Sequence, residues 1–591
     1  PVGKIFDLSG YKHKSQYELS YLFSAAKNED QAIETPSYDY TKINYGGIVY
    51  SKTAIVLDYL MAYLGEKEMD KAMQAYFDEW HFKHPLPEDF RRSIEKTTGK
   101  NLSWLFDGLI NSTKKLDYKI TFVRKNQDGS WDIGVKNNGD INGPVFIQGM
   151  RDGKLIGEVI YDGFDGKQAL TFPISDIDYF KIDANQDMPE INRNNNRIRT
   201  KGIFKKTEHL KLQFLGSLDN PDKSQLFWTP VPAWNNYNKW MFGIAFYNNV
   251  LPQKKFEFEL MPLYSVSTKD IAGYGHIAYN IFPENNLQRV TIGITASRYT
   301  YSNDPSDANN NPLNLNFNKI APEINIKFKK SEPRSPYNFN IRYRNITIIK
   351  ETFFGNYITQ PAIYKRDTIT TNFNDLNFSF SKSDAITPYD INFNFQQGEK
   401  IMKTSLTANY SYNFKNKNKG IDVRLFAGTF VGTDAVHAGP YRYRLSGQTG
   451  SQDYLYDNIF LGRSETEGLL SSQFTNTDGG FKFYSPLGQS STWIAALNIK
   501  SSLGNMKVPI NLYADIGTAD PASMSNESIV YDAGVCISLK KNFFEVYFPI
   551  LISQNFIDYK KANDIKYPET IRFTLNLNLI NPFSLIRNFS L

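Results

Sequence analysis

The chain has 591 residues, 41% of them hydrophobic and 15% aromatic, with a single cysteine and a formal charge of +6. That length exceeds one core and implies about two to four domains, while a weak, unclustered positive charge excludes nucleic acid as a partner. Lone Cys536, in the apolar run Val535-Cys536-Ile537, excludes an intrachain disulfide and a thiolate zinc cluster and reads as a small buried or lipid-facing residue. Mean hydropathy is −0.45, and no run approaches the roughly 18 apolar residues that a spanning helix needs.

The first residue is Pro1, with neither a starting Met nor an export signal, so the sequence reads as the remainder of a longer precursor. Residues 1–115 carry helical periodicity and predict a compact helical subdomain. Leu57, Leu60, Met61 and Leu64 recur at i, i+3, i+4, i+7, and Gly65 supplies a stop. Met69, Met73, Tyr76, Phe77 and Trp80 predict a second apolar face. Pro87-Glu88-Asp89 opens a third helix, with carboxylates where the helix dipole favours them, and Gly99 closes it. Leu102, Leu105, Phe106 and Leu109 mark a fourth.

These segments also form an ordered set of motifs. Tyr50-Ser51-Lys52-Thr53-Ala54, a helix ending in Leu64-Gly65, Tyr76-Phe77, Pro87-Glu88-Asp89-Phe90 and Asn101-Leu102-Ser103-Trp104-Leu105-Phe106 follow one another. This order resembles the end of the catalytic domain of zinc aminopeptidases of the aminopeptidase N type, the gluzincins, over roughly residues 30–112. In that family a Tyr-Glu-Lys-Gly-Ala motif starts a helix, and its Tyr donates a hydrogen bond to the tetrahedral oxyanion. The resemblance therefore implies a catalytic role for Tyr50. Lys52 and Ala54 match the motif, while Ser51 and Thr53 stand where Glu and Gly are usual.

The zinc chemistry makes a demand that these residues do not meet. Such peptidases need two His one helical turn apart, a carboxylate ligand and a Glu that activates the metal-bound water. The six histidines are His13, His81, His84, His209, His276 and His437, and none lies in H-E-x-x-H. His81 and His84 are followed by Pro85, have no acidic residue between them, and read as surface residues. By the family's order the zinc site falls before Pro1, on a segment absent from this chain, or was lost. Zinc is expected in the full-length protein if that protein is active. None is expected on this chain alone, and no metal-ligating or substrate-binding residue is assigned.

Residues 116–200 change character. Tyr118–Phe122, Trp131–Val135 and Val145–Ile147 are short strands, with turns at Asp128-Gly129, Asn138-Gly139 and Asp152-Gly153. They predict a small immunoglobulin-like β-sandwich, which also resembles the β-module after the catalytic domain of the same peptidases. Asn192-Arg193-Asn194-Asn195-Asn196-Arg197 reads as a polar exit and linker.

From 205–591 the period is two. Tyr337, Phe339, Ile341 and Tyr343 alternate with Asn338, Asn340, Arg342 and Arg344. Leu406, Ala408, Tyr410, Tyr412 and Phe414 alternate with Thr407, Asn409, Ser411 and Asn413. Ile571, Phe573, Leu575, Leu577 and Leu579 alternate with Arg572, Thr574, Asn576 and Asn578, predicting one strand over 570–580. Repetition on this scale, with no helix to cover the apolar face, predicts a transmembrane antiparallel β-barrel of about 16 strands. Parity then puts Ser302–Leu313, Phe354–Lys365 and Val431–Gln489 outside, and the turns Asn249–Gln253 and Lys415–Lys419 on the periplasmic side. The segments Tyr547-Phe548-Pro549-Ile550 and Ile571–Leu579 resemble the barrels that follow peptidase domains in outer-membrane proteins of the Bacteroidota.

Three functions fit this organisation: an outer-membrane-anchored zinc metallopeptidase, a catalytically inactive scaffold or accessory subunit of an outer-membrane complex, and a channel. The expected partners are outer-membrane lipid, the N-terminal peptidase segment, other outer-membrane proteins, and a peptide substrate if the protein is active. The expected location is the cell outer membrane, with the N-terminal domains on the periplasmic side.

Overall fold

The computed structural model describes residues 13–248, 254–283, 286–304, 313–356, 363–415, 419–503, 509–540 and 542–580. Among the described residues the N-terminal part holds four helices longer than one turn, α1 (His13–Ala25), α2 (Thr53–Leu64), α3 (Glu66–Trp80) and α4 (Pro87–Thr98), followed by a π-helical turn at Trp104–Ile110. Gly65 (φ 83°) separates α2 from α3, and Gly99 (φ 63°) ends α4 in the left-handed conformation that glycine adopts without strain. Leu102, Leu105, Phe106 and Leu109 are all buried, as their spacing predicts. Two apolar faces are narrower than expected. α2 buries Ile55, Val56, Tyr59 and Leu60 while Met61 is exposed, and α3 buries Met69 and Ala72 while Met73 and Phe77 are exposed. α3 packs on α2 and α4 from outside, so only one stripe of it is covered.

Two sheets come next. One is β1 (Tyr118–Lys125), β2 (Trp131–Asn137) and β5 (Lys167–Phe172); the other runs β4 (Lys154–Tyr161), β3 (Val145–Arg151), β6 (Tyr179–Ile182), β7 (Arg197–Arg199). Helices and both sheets share one core, in which Leu60, Ile94 and Leu105 join Ile120, Ile133, Ile147 and Phe180. The expected linker is only partly one. Arg193 is almost fully buried and holds Asp183, Glu18 and the Met188 carbonyl together, because a guanidinium can satisfy several acceptors in one plane.

The remaining strands are β8 (His209–Phe214), β9 (Lys223–Asn235), β10 (Lys239–Tyr247), β11 (Phe256–Ser265), β12 (Ile271–Ile281), β13 (Leu287–Ser302), β14 (Leu315–Phe328), β15 (Tyr337–Asn356) and β16 (Ile363–Lys382). They continue with β17 (Tyr389–Gln397), β18 (Met402–Asn413), β19 (Gly420–Phe430), β20 (Trp493–Ser502), β21 (Ile510–Ala519), β22 (Val530–Lys540), β23 (Phe544–Ile552) and β24 (Arg572–Leu575). Hydrogen-bonded order follows chain order from β9 to β24, and short β8 lies between β24 and β9 to close the ring. β8 runs parallel to β9, with His209 opposite Lys223 and Phe214 opposite Trp228. Among the described residues the ring thus has seventeen strands where about sixteen were expected.

The unexpected strand is β9. Its Pro230 and Pro232 lack the N–H that a ladder needs and argue against a central strand. Both lie past Trp228, where β8 has ended and that edge of β9 is no longer paired to it. The strand expected over 570–580 is also shorter: only Arg572–Leu575 is extended, and Leu577–Ile580 forms a 3₁₀ turn. β24 pairs with β23 over four residues alone. The turn Asn249–Gln253 lies outside the described residues, as do positions 305–312, 357–362 and 416–418 of the other expected connections. β15 extends to Asn356 and β16 starts at Ile363, so most of the expected Phe354–Lys365 loop that is described is strand.

The alternation sorts as its period demands. Tyr337, Phe339 and Tyr343 are exposed on the outer surface, while Arg344 reaches inward to Asp375 at 2.9 Å. Leu406, Tyr410 and Tyr412 are exposed, whereas Asn409 donates to Asp390 at 2.9 Å and Ser411 to Asp422 at 2.7 Å. Among the described residues no helix is long and apolar enough to cross a membrane. The two faces give a direct test. Phe339→Arg should cost about 2–4 kcal/mol in folding titrations in lipid if it sits near the bilayer midplane, and Asn340→Arg should cost little. Equal losses at both positions would mean that the outer surface does not face lipid.

Candidate functional site

Tyr50 belongs to a π-helical turn, Tyr45–Lys52, that runs directly into α2. Gly47 makes the turn possible: a Cβ there would sit 2.8 Å from the Ser20 carbonyl of α1, so only glycine lets the two backbones approach. Asn44, at the base, donates to the Glu29 carbonyl at 2.7 Å and to Gln31 Oε1 at 3.1 Å, and Gln31 also accepts from the Thr41 N–H at 2.9 Å. Thr41 caps the first residues by accepting from the Asn44 N–H at 3.2 Å. The turn is therefore fixed from below.

Its side chains divide into two sets. Ile48, Ser51 and Lys52 are buried, whereas Tyr50 is 60% exposed. The Tyr50 ring meets Tyr45 edge-on at 5.9 Å, and Tyr45 meets Tyr40 at 6.2 Å. A hydrogen bond with Tyr45 raises the Tyr50 pKa above its ordinary value. A tyrosine serving only to pack a helix start would be buried; the Tyr50 side chain is mostly exposed and has Tyr45 as a hydrogen-bond partner.

Beneath it Lys52 donates to the Ser112 carbonyl at 3.2 Å and lies 5.8 Å from the centre of the Tyr21 ring. Burial pushes its ammonium down to about 8, with Asp30 opposing that shift and Lys115 adding to it. Asp30 is itself engaged by Lys115 at 2.5 Å. Lys52 thus ties the turn to the residues after Ile110, which is a positioning task. Ser51, where the resembled motif has Glu, turns inward toward the Gly46 carbonyl at 3.5 Å.

The histidines do not converge. His13 starts α1, His81 and His84 are exposed beyond α3, His209 opens β8, His276 is inside the barrel beside Thr295, and His437 pairs with Asp434 at 2.6 Å. Among the described residues no three His, Cys, Asp or Glu side chains are grouped to hold a metal ion. The described residues do not make up a zinc site.

A second feature was invisible in the sequence. The Val431–Gln489 connection, expected outside, folds back into the barrel. Tyr443, Leu445, Phe481 and Phe483 pack on Phe426, Ile494 and Ala519 of the wall, and Leu455 packs on Ile346, Ile348 and Phe373. Asp457 accepts from Arg344 at 2.8 Å and also binds Lys319. Lys482 reaches Asp515 at 3.0 Å, and Asp532 accepts the Lys482 and Phe483 backbone N–H groups at 3.0 and 2.5 Å. Arg572 lies 4.3 Å over the Phe474 ring and donates to the Gly447 carbonyl at 3.0 Å. The inner wall offers partners for both the charges and the rings of this segment, and burying them together is what draws it inward. Cys536 is buried in the same packing, with Phe474, Tyr513 and Tyr547. Below this plug a polar cavity of about 820 Å³ remains, bordered by Asp390, Asn392, Asn409, Asp422 and Lys500 of the wall.

Comparison with known proteins places the Tyr50 turn in context. Residues 11–109 match the peptidase family M1 domain, so this region is related to M1 aminopeptidases. Aminopeptidase N of Streptomyces lividans is 38% identical over 74 residues, which are 12% of this chain and 9% of that protein. The chain therefore matches only about a tenth of that relative's length. Legionella pneumophila aminopeptidase A in complex with aspartic acid is 18% identical over 32% of this chain and 22% of its own, with a TM-score of 0.24. CdiB from Acinetobacter baumannii is 11% identical over 56% of this chain and 57% of its own, with a TM-score of 0.32. BamA from Haemophilus ducreyi is 10% identical over 56% and 70%, with a TM-score of 0.31.

Proposed function

We propose that this chain is the C-terminal part of an aminopeptidase-like zinc metallopeptidase anchored in the outer membrane by its barrel, with the N-terminal units on the periplasmic side. The observation that carries the reading is Tyr50, an exposed phenol on a hydrogen-bonded turn within the region related to family M1. Its part in peptide hydrolysis is to donate a hydrogen bond to the carbonyl oxygen as that oxygen gains negative charge. The proton stays on the phenol throughout. Metal binding is assigned to a segment outside this chain, since no described cluster of donors here suits it.

Membrane anchoring is supported by the outer surface, where Phe339, Tyr343, Leu406 and Tyr410 are exposed on strands whose alternate residues are polar and inward. The plug supports an anchor over a channel, because residues between Val431 and Gln489 fill the outer part of the lumen. Peptide substrate, the peptidase segment and other outer-membrane proteins are the partners this reading implies.

The test uses the full-length protein purified in detergent. Bound zinc and hydrolysis of aminoacyl or dipeptidyl substrates, abolished by a chelator and restored by zinc, are expected. The membrane fraction should retain the protein through a carbonate wash. Absence of both zinc and hydrolysis would sink the enzyme and leave the scaffold for other outer-membrane proteins.

A further inference from the structure

The turn that joins the sandwich to the barrel has a composition of its own. Between β7 and β8 it reads Thr200-Lys201-Gly202-Ile203-Phe204-Lys205-Lys206-Thr207. Ile203 is 93% exposed and Phe204 75%, among the most exposed large apolar side chains of the described residues. They are not loose. The Arg199 N–H donates to the Lys205 carbonyl at 2.8 Å, the Thr207 N–H to the Phe204 carbonyl at 3.3 Å, and Arg199 Nη2 to the Thr207 carbonyl at 2.9 Å. Gly202 (φ 93°) takes the left-handed conformation that lifts the tip. Around the two apolar residues stand Lys201, Lys205 and Lys206, and among the described residues none of them pairs with a carboxylate. A folded turn that holds two large apolar groups out between unpaired cations fits a surface that is apolar within and anionic at its face.

Its position names that surface. Five residues after Phe204 the chain enters β8, whose Leu210, Leu212 and Phe214 are exposed while Gln213 turns inward to Gln225 at 2.7 Å. The outer face of the barrel is therefore continuous with the tip. The same end of the barrel meets the N-terminal units, through Lys181 to Asp222 at 2.7 Å and Asn28 to the Phe282 carbonyl at 3.2 Å. The tip thus stands at the rim facing those units, where an embedded barrel meets the headgroups.

We propose that turn 200–207 is a lipid-interface anchor, with Ile203 and Phe204 entering the headgroup region of the periplasmic leaflet and Lys201, Lys205 and Lys206 meeting lipid phosphates. Apolar and aromatic residues flanked by cations are what the boundary between headgroup and acyl chain accommodates. The inference rests on the barrel being embedded in a membrane. Its consequence is that the sandwich, and the Tyr50 turn sharing its core, are held at a fixed height and tilt above the bilayer.

The test places a nitroxide at Phe204→Cys in the complete chain; Cys536 is the sole native cysteine and is buried, so it takes no label. The protein is reconstituted in vesicles of phosphatidylcholine with phosphatidylglycerol, and collisions with oxygen and with a water-soluble nickel chelate are compared. Phe339→Cys serves as the lipid reference and exposed Lys154→Cys as the water reference. The label at position 204 should resemble that at 339. Lys201→Gln/Lys205→Gln/Lys206→Gln should raise nickel collisions at position 204 by about fivefold or more in anionic vesicles. Water-like behaviour at 204 with lipid-like behaviour at 339 overturns the anchor while sparing the barrel. Water-like behaviour at both overturns both. Protection from oxygen and nickel alike means a protein covers the turn, which also overturns it.

Discussion

Tyr50→Phe in the full-length protein is expected to lower kcat by about 10²–10³, with KM, zinc content and folding close to wild type. Phenylalanine keeps the ring, and with it the edge-on contact with Tyr45 at 5.9 Å. It deletes only the hydroxyl, with its hydrogen bond to exposed Tyr45 and the donor that the proposed role offers to the developing negative charge. Because the side chain is 60% exposed, its loss leaves no buried group unsatisfied, and stability has no reason to change. A variant that keeps wild-type kcat would remove Tyr50 from the chemistry. A variant that loses zinc or unfolds would assign it to structure instead. Single-turnover kinetics beside metal analysis and a melting curve separate these outcomes.

The second large effect concerns the plug. Lys482 lies on the inward segment and reaches Asp515 of β21 at 3.0 Å, with Asp532 of β22 beside it; all three are buried. Asp515 also accepts from Asn498 at 2.9 Å, and Asp532 accepts two backbone N–H groups of the plug. Lys482→Met keeps the volume and removes the ammonium that pairs with buried Asp515 at 3.0 Å. Removing one partner of a buried ion pair costs about 3–5 kcal/mol because the remaining charge is left uncompensated. The plug should leave the wall, the barrel's melting midpoint should fall, and a reconstituted protein should pass current where the wild type does not. Adding Asp515→Asn and Asp532→Asn to the same chain should recover much of the loss, since neutral amides need no counter-charge. Unchanged stability and a silent bilayer recording would show that the apolar contacts of Leu445, Phe481 and Phe483 hold the plug without the lysine.

The plugged barrel and the exposed Tyr50 lie in different parts of the chain. Part of the barrel's polar interior fixes its own plug, in contacts such as Arg344 with Asp457 at 2.8 Å. Tyr50 stands outside it, on a turn that Lys52 and Asn44 hold from below.

The sequence by itself determined whatever is written at short range. Strand faces were legible because neighbouring side chains must point oppositely, so Phe339 and Asn340 declare their sides without any knowledge of the fold. Helix ends were legible at Gly65 and Gly99, whose backbone conformation suits glycine, and the ordered motifs around Tyr50 marked the region that matches the peptidase family M1 domain. Tertiary structure decided the rest. β9 carries two prolines that local rules read as a break, and it forms because its pairing with β10 outlasts that with β8. Phe77 has the spacing of a buried residue and is exposed because, among the described residues, no layer covers α3 on that side. The segment from Val431 to Gln489 has no regular period to read. Its inward course follows from partners far away in the chain, Asp515 and Asp532 for Lys482 and Arg344 for Asp457, which exist as a surface only once the strands have closed around them.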